Sequence, residues 1–247
     1  MPKPILVWDL PTRLFHWSLA VSIATAIAIA LCVEHDTPQF QYHMLAGILA
    51  TGLVVLRLIW GFVGSRYARF ASFLYGPRAL ARYLRSALHR NGSRFTGHNP
   101  GAAYAIYAML LLPLVLTVTG TLTASGQELG DIHAAIAWCL VAEIGSHLLG
   151  ILLHTRMHRE NVAFSMVHGL KEPGDTAAPI LGSHPLFGGL FVALALGFFG
   201  LLLRGHDSKS RQLHLFGAVI ALGRSESQYS DSEQSHEHEY EYRHEHD

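Results

Sequence analysis

The chain has 247 residues, half of them hydrophobic, and its 18 basic and 18 acidic side chains cancel formally. That length and apolar content allow one membrane domain and little else, and they exclude a strongly basic nucleic-acid binder. The charge is unevenly placed: no Lys or Arg falls between Ser18 and Leu56 or between Phe95 and Thr155, while Arg66, Arg69, Arg78, Arg82, Arg85, Arg90 and Arg94 crowd one segment, the pattern of a polytopic membrane protein.

In chain order, residues 1–13 form an N-terminal segment interrupted by Asp9, Pro11 and Arg13. It has no small-residue cleavage site, so the apolar run that follows is expected to stay as a membrane span. Spans are predicted at Leu14–Val33, His43–Val63, Ala103–Thr123 and Ile132–Thr155, with a fifth, shorter one at Pro185–Leu203. The first four are apolar on all faces and so are not amphipathic surface helices. In the loop 64–99, RALARYLRSALHR alternates apolar and basic positions and is expected to lie as a helix on the inner leaflet. Placing the N-terminus in the cytoplasm puts Lys3, Arg13, the arginine loop, Arg156, Arg159 and Lys171 inside, and leaves the loops with Glu34, Asp36, Glu128 and Asp131 outside. That arrangement satisfies the positive-inside rule. Residues 172–204 read as linker and fifth span, and 205–247 as a polar, His/Glu-rich disordered tail. From Ser225 onward, SESQYSDSEQSHEHEYEYRHEHD has almost nothing to bury and should be disordered.

The run Ile132–Thr155 organises the rest. Its one formally charged residue is Glu143, and it carries His133 and His147, fourteen residues apart. Fourteen helical residues return to within about 40° of the starting face and rise roughly 21 Å. One face of one helix therefore holds an imidazole near each side of the membrane, where polar groups are costly and functional. Depth then pairs the histidines: His43 opens the second span near the outer face and matches His133, while His16 starts the first span near the inner face and matches His147. Imidazole is a usual axial ligand of haem iron. Two bis-histidine haem sites stacked across four helices use all four residues, with the third span supplying packing. His154 and His158, further along the same helix, are rival ligands; His98, His206 and the other remaining histidines are solvated or interfacial by default. Arg57, at the inner end of its span, suits a haem propionate or snorkels to the interface. Glu143, one turn before His147, suits proton uptake or a structural hydrogen bond. Trp8, Trp17, Trp60 and Trp138 read as interfacial anchors. The two cysteines, Cys32 and Cys139, belong to no C-x-x-C-H or cysteine cluster, which argues against covalent haem and iron–sulfur centres.

These stretches, VWDLPTRLFHW with His16, HMLAGILATGLVVLRLIWG with His43, IHAAIAW with His133 and HLLGILLHTRMHREN with His147, resemble the prokaryotic b561-type cytochromes, a group that includes the b-type cytochrome subunits of nickel–iron hydrogenases. The resemblance covers about Val7 to Lys171. It implies an all-α membrane protein, with a four-helix transmembrane core at 14–171 holding two non-covalent b haems and a fifth transmembrane helix beyond it. It also implies electron transfer between the quinone pool and a periplasmic or membrane partner at the bacterial inner membrane. The expected partners are quinone or quinol, a periplasmic c-type cytochrome or a dehydrogenase subunit, membrane lipid, and a second copy of the chain in a homodimer. A superoxide-to-quinone oxidase and, from another class, a metal-binding or transport protein are the competing functions. The outer loops lack the basic funnel an anionic substrate would favour, and one intramembrane carboxylate is few for a transporter. The histidines among 236–246 are expected to have no haem role and to sit in a solvated acidic tail.

Overall fold

The structure is a computed structural model, and it describes residues 3–88, 95–158, 161–173 and 177–223. Among them are five helices long and apolar enough to cross a membrane: α1 (Leu10–Cys32), α2 (Gln41–Val63), α4 (Pro100–Ala124), α5 (Gly130–His158) and α7 (Pro185–Gly205). Two shorter ones, α3 (Pro77–Leu88) and α6 (Val162–His168), lie in the connections. The predicted spans are all present, and most start two to four residues earlier than expected; at α1 and α4 the reason is that polar residues that look like loop act as caps. The Asp9 carboxylate accepts from the Thr12 N–H at 2.8 Å and starts α1. Asn99 does the same for Ala102 at 2.8 Å and starts α4. Each satisfies a donor that the first helical turn leaves unpaired.

Helix α1 packs along α2, α2 along α4, and α4 along α5, while α7 lies against α1 and α2. The shared core runs through Phe15, Leu19 and Ile23 of α1, Ala50, Leu53 and Val54 of α2, Leu110 of α4 and Phe191 of α7. Among its described side chains, helix α5 adds one buried residue, Leu140. It rests on α4 and α6 and makes little or no backbone-level contact with α1 or α2. The fifth span is firmly part of the bundle: Gly52 of α2 leaves room for the Phe198 ring of α7, where any Cβ would collide.

The two ends of the bundle are built differently. At the arginine-rich end, β1 (Ile5–Leu6) pairs antiparallel with β2 (Leu170–Lys171). Tyr67 Oη–H donates to Ala178 O at 2.9 Å, and Lys171 Nζ donates to Phe95 O at 2.7 Å. The N-terminus, the α2–α4 connection and the α5–α7 connection are thereby tied together. The basic amphipathic helix predicted in the loop is α3; Arg90 and Arg94 lie outside the described residues.

At the opposite end the structure corrects the expectation of a disordered tail from residue 205. The strands β3 (His206–Asp207), β4 (Gln212–Leu215) and β5 (Ala218–Ala221) form an antiparallel sheet. Its Leu213 and the following Leu222 pack on Leu45, Ile48 and Leu202. Phe216 and Gly217, at φ 52° and 83°, make the turn between β4 and β5, the left-handed pair a tight hairpin requires. Four-residue strands flanked by Lys, Arg and Ser carry too few apolar residues to stand out by composition. Leu213 is nonetheless fully buried. Residues 224–247, with the His/Glu-rich run, lie outside the described residues.

Candidate functional site

Helical phase on α5 is as the fourteen-residue spacing requires. His133, Leu140 and His147 share a face; Leu140 is buried and both histidines are half-buried, whereas Ile132 and Leu148 beside them are more than half exposed. This face turns toward α1 and α2, from which α5 stands apart.

Near the opposite end, His43 of α2 and His133 of α5 bring their ring centres to 6.1 Å, with the planes at 77°. His43 Nδ1 lies 2.8 Å from Ala26 O of α1; a carbonyl only accepts, so Nδ1 carries the proton. His133 Nδ1 lies 3.0 Å from Thr119 Oγ1 of α4. The Thr119 hydroxyl proton is already directed at the carbonyls of Val115 and Leu116, so Thr119 accepts from His133. Both rings therefore keep the lone pair on Nε2. A neutral imidazole whose other nitrogen is held by an acceptor is the arrangement of a metal ligand. Two metal–imidazole bonds of about 2 Å, with the two ring radii, give about 6 Å between ring centres, so the pair fits one iron. Gly120 makes the approach possible: a Cβ there would stand 3.1 Å from His133 Cε1. Around Gly47, one turn after His43, no atom beyond the adjacent stretch of α2 lies within 4 Å of where a Cβ would stand, which leaves room for a planar group.

Toward the arginine-rich end, His16 of α1 and His147 of α5 are within electrostatic range of each other. Both are half-buried. Glu143 is within range of His147. Of the rival ligands, His154 is half-buried further along α5, and the side chain of His158 lies outside what the structure describes. Among the described residues no group of three or more His, Cys, Asp or Glu side chains is placed to hold a metal ion.

Arg57 is buried, with Nη2 donating to Ala68 O at 2.9 Å. Its guanidinium stands 5.9 Å from the centre of the Phe15 ring and 5.2 Å from that of Phe70. The snorkelling alternative is therefore not what the structure shows, since a snorkelling arginine would reach solvent. Asp9, also buried, is within electrostatic range of Arg57, but its oxygens are taken by Thr12 N–H and by Trp60 Nε1–H at 3.1–3.2 Å. Between α2 and α4, a shallow cavity of 290 Å³ is walled by Leu58, Phe70, Tyr107, Leu110, Leu111 and Leu114.

Several residues differ from their default reading. Trp8 is buried and donates to Ser165 Oγ at 3.1 Å, and Trp60 donates to Asp9; Trp17 and Trp138 do face outward. His98 is stacked between Trp8 at 4.7 Å and Phe73 at 4.5 Å. His206 meets Gln41 Oε1 at 2.5 Å and locks the C-terminal sheet to the start of α2. The signal for His98 was its place in GHNP, directly before a helix cap; nothing local marked His206.

Five helices long and apolar enough to cross a membrane, with His43 of α2 and His133 of α5 facing one another, describe an all-α polytopic membrane protein. The chain belongs to the prokaryotic cytochrome b561 family, whose model matches residues 7–169. This family implies b-type haem and membrane electron transfer. The chain is 22% identical over 213 residues to a "Probable Ni/Fe-hydrogenase B-type cytochrome subunit" of Rhizobium leguminosarum bv. viciae, covering 68% of this chain and 88% of that one. It is 25% identical over 191 residues to a protein of the same description from Rhodobacter capsulatus, covering 66% and 72%. A "Probable Ni/Fe-hydrogenase 1 B-type cytochrome subunit" of Escherichia coli (strain K12) is 24% identical over 136 residues, covering 46% and 57%. No solved structure matches the chain.

Proposed function

We propose that this protein is a transmembrane dihaem b-type cytochrome that passes electrons between the quinone pool and a redox enzyme, with a nickel–iron hydrogenase as the partner suggested by the names of its relatives. The observation that carries the reading is the His43–His133 pair, 6.1 Å apart with both Nδ1 protons directed at neighbouring helices. His16 and His147 hold the second haem, and Arg57 faces it with a positive charge. A haem iron held by two imidazoles supplies one-electron exchange with no open coordination position. The residues do the rest: α4 and α1 fix the imidazole tautomers, α5 spaces the two sites along the membrane normal, and the apolar helices exclude water. The cavity between α2 and α4, open and apolar, supports access for a lipid-soluble quinone. The arginine-rich end faces the cytoplasm by the positive-inside rule, and the membrane is the bacterial inner membrane.

Haem quantitation and an optical spectrum of the purified protein test this. The expected result is two b haems per chain, falling to one in His43→Ala or His133→Ala and to the other one in His16→Ala or His147→Ala. A single haem in the unaltered protein, or both retained in His147→Ala, would overturn the assignment. For orientation, Thr37→Cys in a cysteine-free background should react with an impermeant thiol reagent in intact cells, and Arg82→Cys should not. The background must lack Cys32 and Cys139, both of which are exposed.

A further inference from the structure

Three buried polar atoms at the arginine-rich end have no hydrogen-bond partner among the described residues: Arg57 Nη1 of α2, His98 Nδ1 of the loop before α4, and Tyr107 Oη of α4. They belong to one cluster. Phe73 lies 4.5 Å from the His98 ring and 5.6 Å from Tyr107, and Phe70 lies 6.0 Å from Tyr107 and 5.2 Å from the Arg57 guanidinium. Arg57 is within electrostatic range of both His98 and Tyr107. Buried polar groups are nearly always paired, and a buried guanidinium with an unused N–H face is costly in a membrane. Three such atoms from three separate segments, around one cation, describe a group the protein is built to receive. That group accepts hydrogen bonds and carries negative charge. Asp9 is within electrostatic range of Arg57 but leaves Arg57 Nη1 without a hydrogen bond.

The cluster borders the inner histidine pair. His147 is within electrostatic range of His98. From these positions we infer that Arg57, His98 and Tyr107 form a carboxylate-binding site for one propionate of the haem held by His16 and His147. The inference rests on the dihaem reading above. Arg57 supplies the charge and a planar donor edge suited to a carboxylate. Tyr107 donates its hydroxyl, and His98 donates Nδ1–H as a neutral imidazole. The Tyr107 ring also walls the neighbouring cavity, but its hydroxyl is buried, so the two roles use different parts of the side chain. His98 and Tyr107 position the cofactor; they do not ligate the iron.

The test uses the full-length holoprotein, its haem labelled with ¹³C only in the propionate carboxylates through biosynthesis, with redox titration and redox-difference infrared spectra. The inner haem is identified as the one lost in His147→Ala. Arg57→Leu should lower the midpoint potential of that haem alone, by about tenfold in the redox equilibrium or about 59 mV for one electron, because a nearby cation favours the reduced state. Arg57→Lys should restore most of it. Tyr107→Phe and His98→Leu, milder changes that keep the fold testable if Arg57→Leu does not accumulate, should each shift one ¹³C-carboxylate band and lower the same potential less. An unaltered protein with both haems in which neither Tyr107→Phe nor His98→Leu moves a labelled band would overturn the inference and leave the dihaem reading standing. Equal shifts at both haems would overturn it too. Fewer than two haems in the unaltered protein would instead remove the reading beneath it.

Discussion

The two ends of this bundle hold a histidine pair each and finish it by opposite means. At the end away from the arginines, the protein satisfies itself: Ala26 and Thr119 take the imidazole protons, Gly120 makes room, and Gln41 is bonded to His206 and Ser208. At the arginine-rich end, Thr12 Oγ1, Arg13 Nε, Arg57 Nη1, Ser65 Oγ, His98 Nδ1 and Tyr107 Oη are all buried and without a hydrogen-bond partner among the described residues. None of the atoms in that condition lies at the other end. Packing of neighbouring helices alone can preorganise a pair of neutral ligands, since a hydrogen bond to each Nδ1 suffices. A charged periphery is different, because the described residues leave its donors without a partner. If both histidine pairs hold a haem as proposed, the two sites are expected to be unequal in potential and in what disturbs them.

The strongest way to break this contrast is at Gly120. A Cβ would already press on His133 Cε1 at 3.1 Å, and Gly120→Val adds two methyl groups beyond it. The outer haem should be lost and the inner one kept, read as one haem per chain with a single redox transition; retention of both would mean that α4 and α5 separate freely. Next in size is Leu213→Ala, which opens a cavity where Leu213 is fully buried against Leu45 and Leu202. Such truncations cost roughly 2–5 kcal/mol. Thermal release of haem in detergent should begin earlier and affect the outer haem first. If both haems leave together, the C-terminal sheet does not stabilise one end separately. Smaller again is Thr119→Val, which keeps the shape and removes the acceptor for His133 Nδ1–H. Losing such a supporting bond typically costs about 10–100-fold in affinity, so the outer haem should dissociate faster with its spectrum otherwise low-spin. An unchanged dissociation rate would show that the Leu116 carbonyl, also within reach of His133, takes over the bond.

Much of this was legible in the sequence, and the reasons are physical. A 24-residue apolar run has few ways to fold in a bilayer, so the spans and the inward face of α5 followed from length and periodicity. Position along the spans matched His43 to His133, and their rings stand 6.1 Å apart. Contacts closed by distant residues were not legible. Asp9 looks like a loop charge until Trp60, 51 positions away, donates to it. His206 looks solvated until Gln41, 165 positions away, meets it. His98 was assigned to solvent because loops usually face water, yet Trp8 and Phe73 close over it. The C-terminal sheet was missed because its strands are short and its burial comes from α2 and α7, not from its own composition.

His98 also gives the finest test of the difference between the ends. Burial pushes its imidazole down to about 3, with the charges of Arg57, Lys171 and His147 acting in the same direction. An unfolded histidine titrates near 6.5. Between these values the unfolded chain binds a proton that the native chain refuses, so His98 contributes stability that is complete above about pH 6.5 and is lost as the pH falls toward 3. The unfolding temperature should therefore drop on acidification from pH 7 to pH 5, and His98→Asn should flatten part of that slope. A carboxylate beside His98 opposes the depression, since negative charge favours the protonated ring. The His98-dependent part of the slope should accordingly be steeper in protein depleted of haem than in the holoprotein. If His98→Asn leaves the pH dependence unchanged in both forms, the imidazole is not held neutral by its surroundings, and the arginine-rich end is less closed than the positions of Trp8 and Phe73 imply.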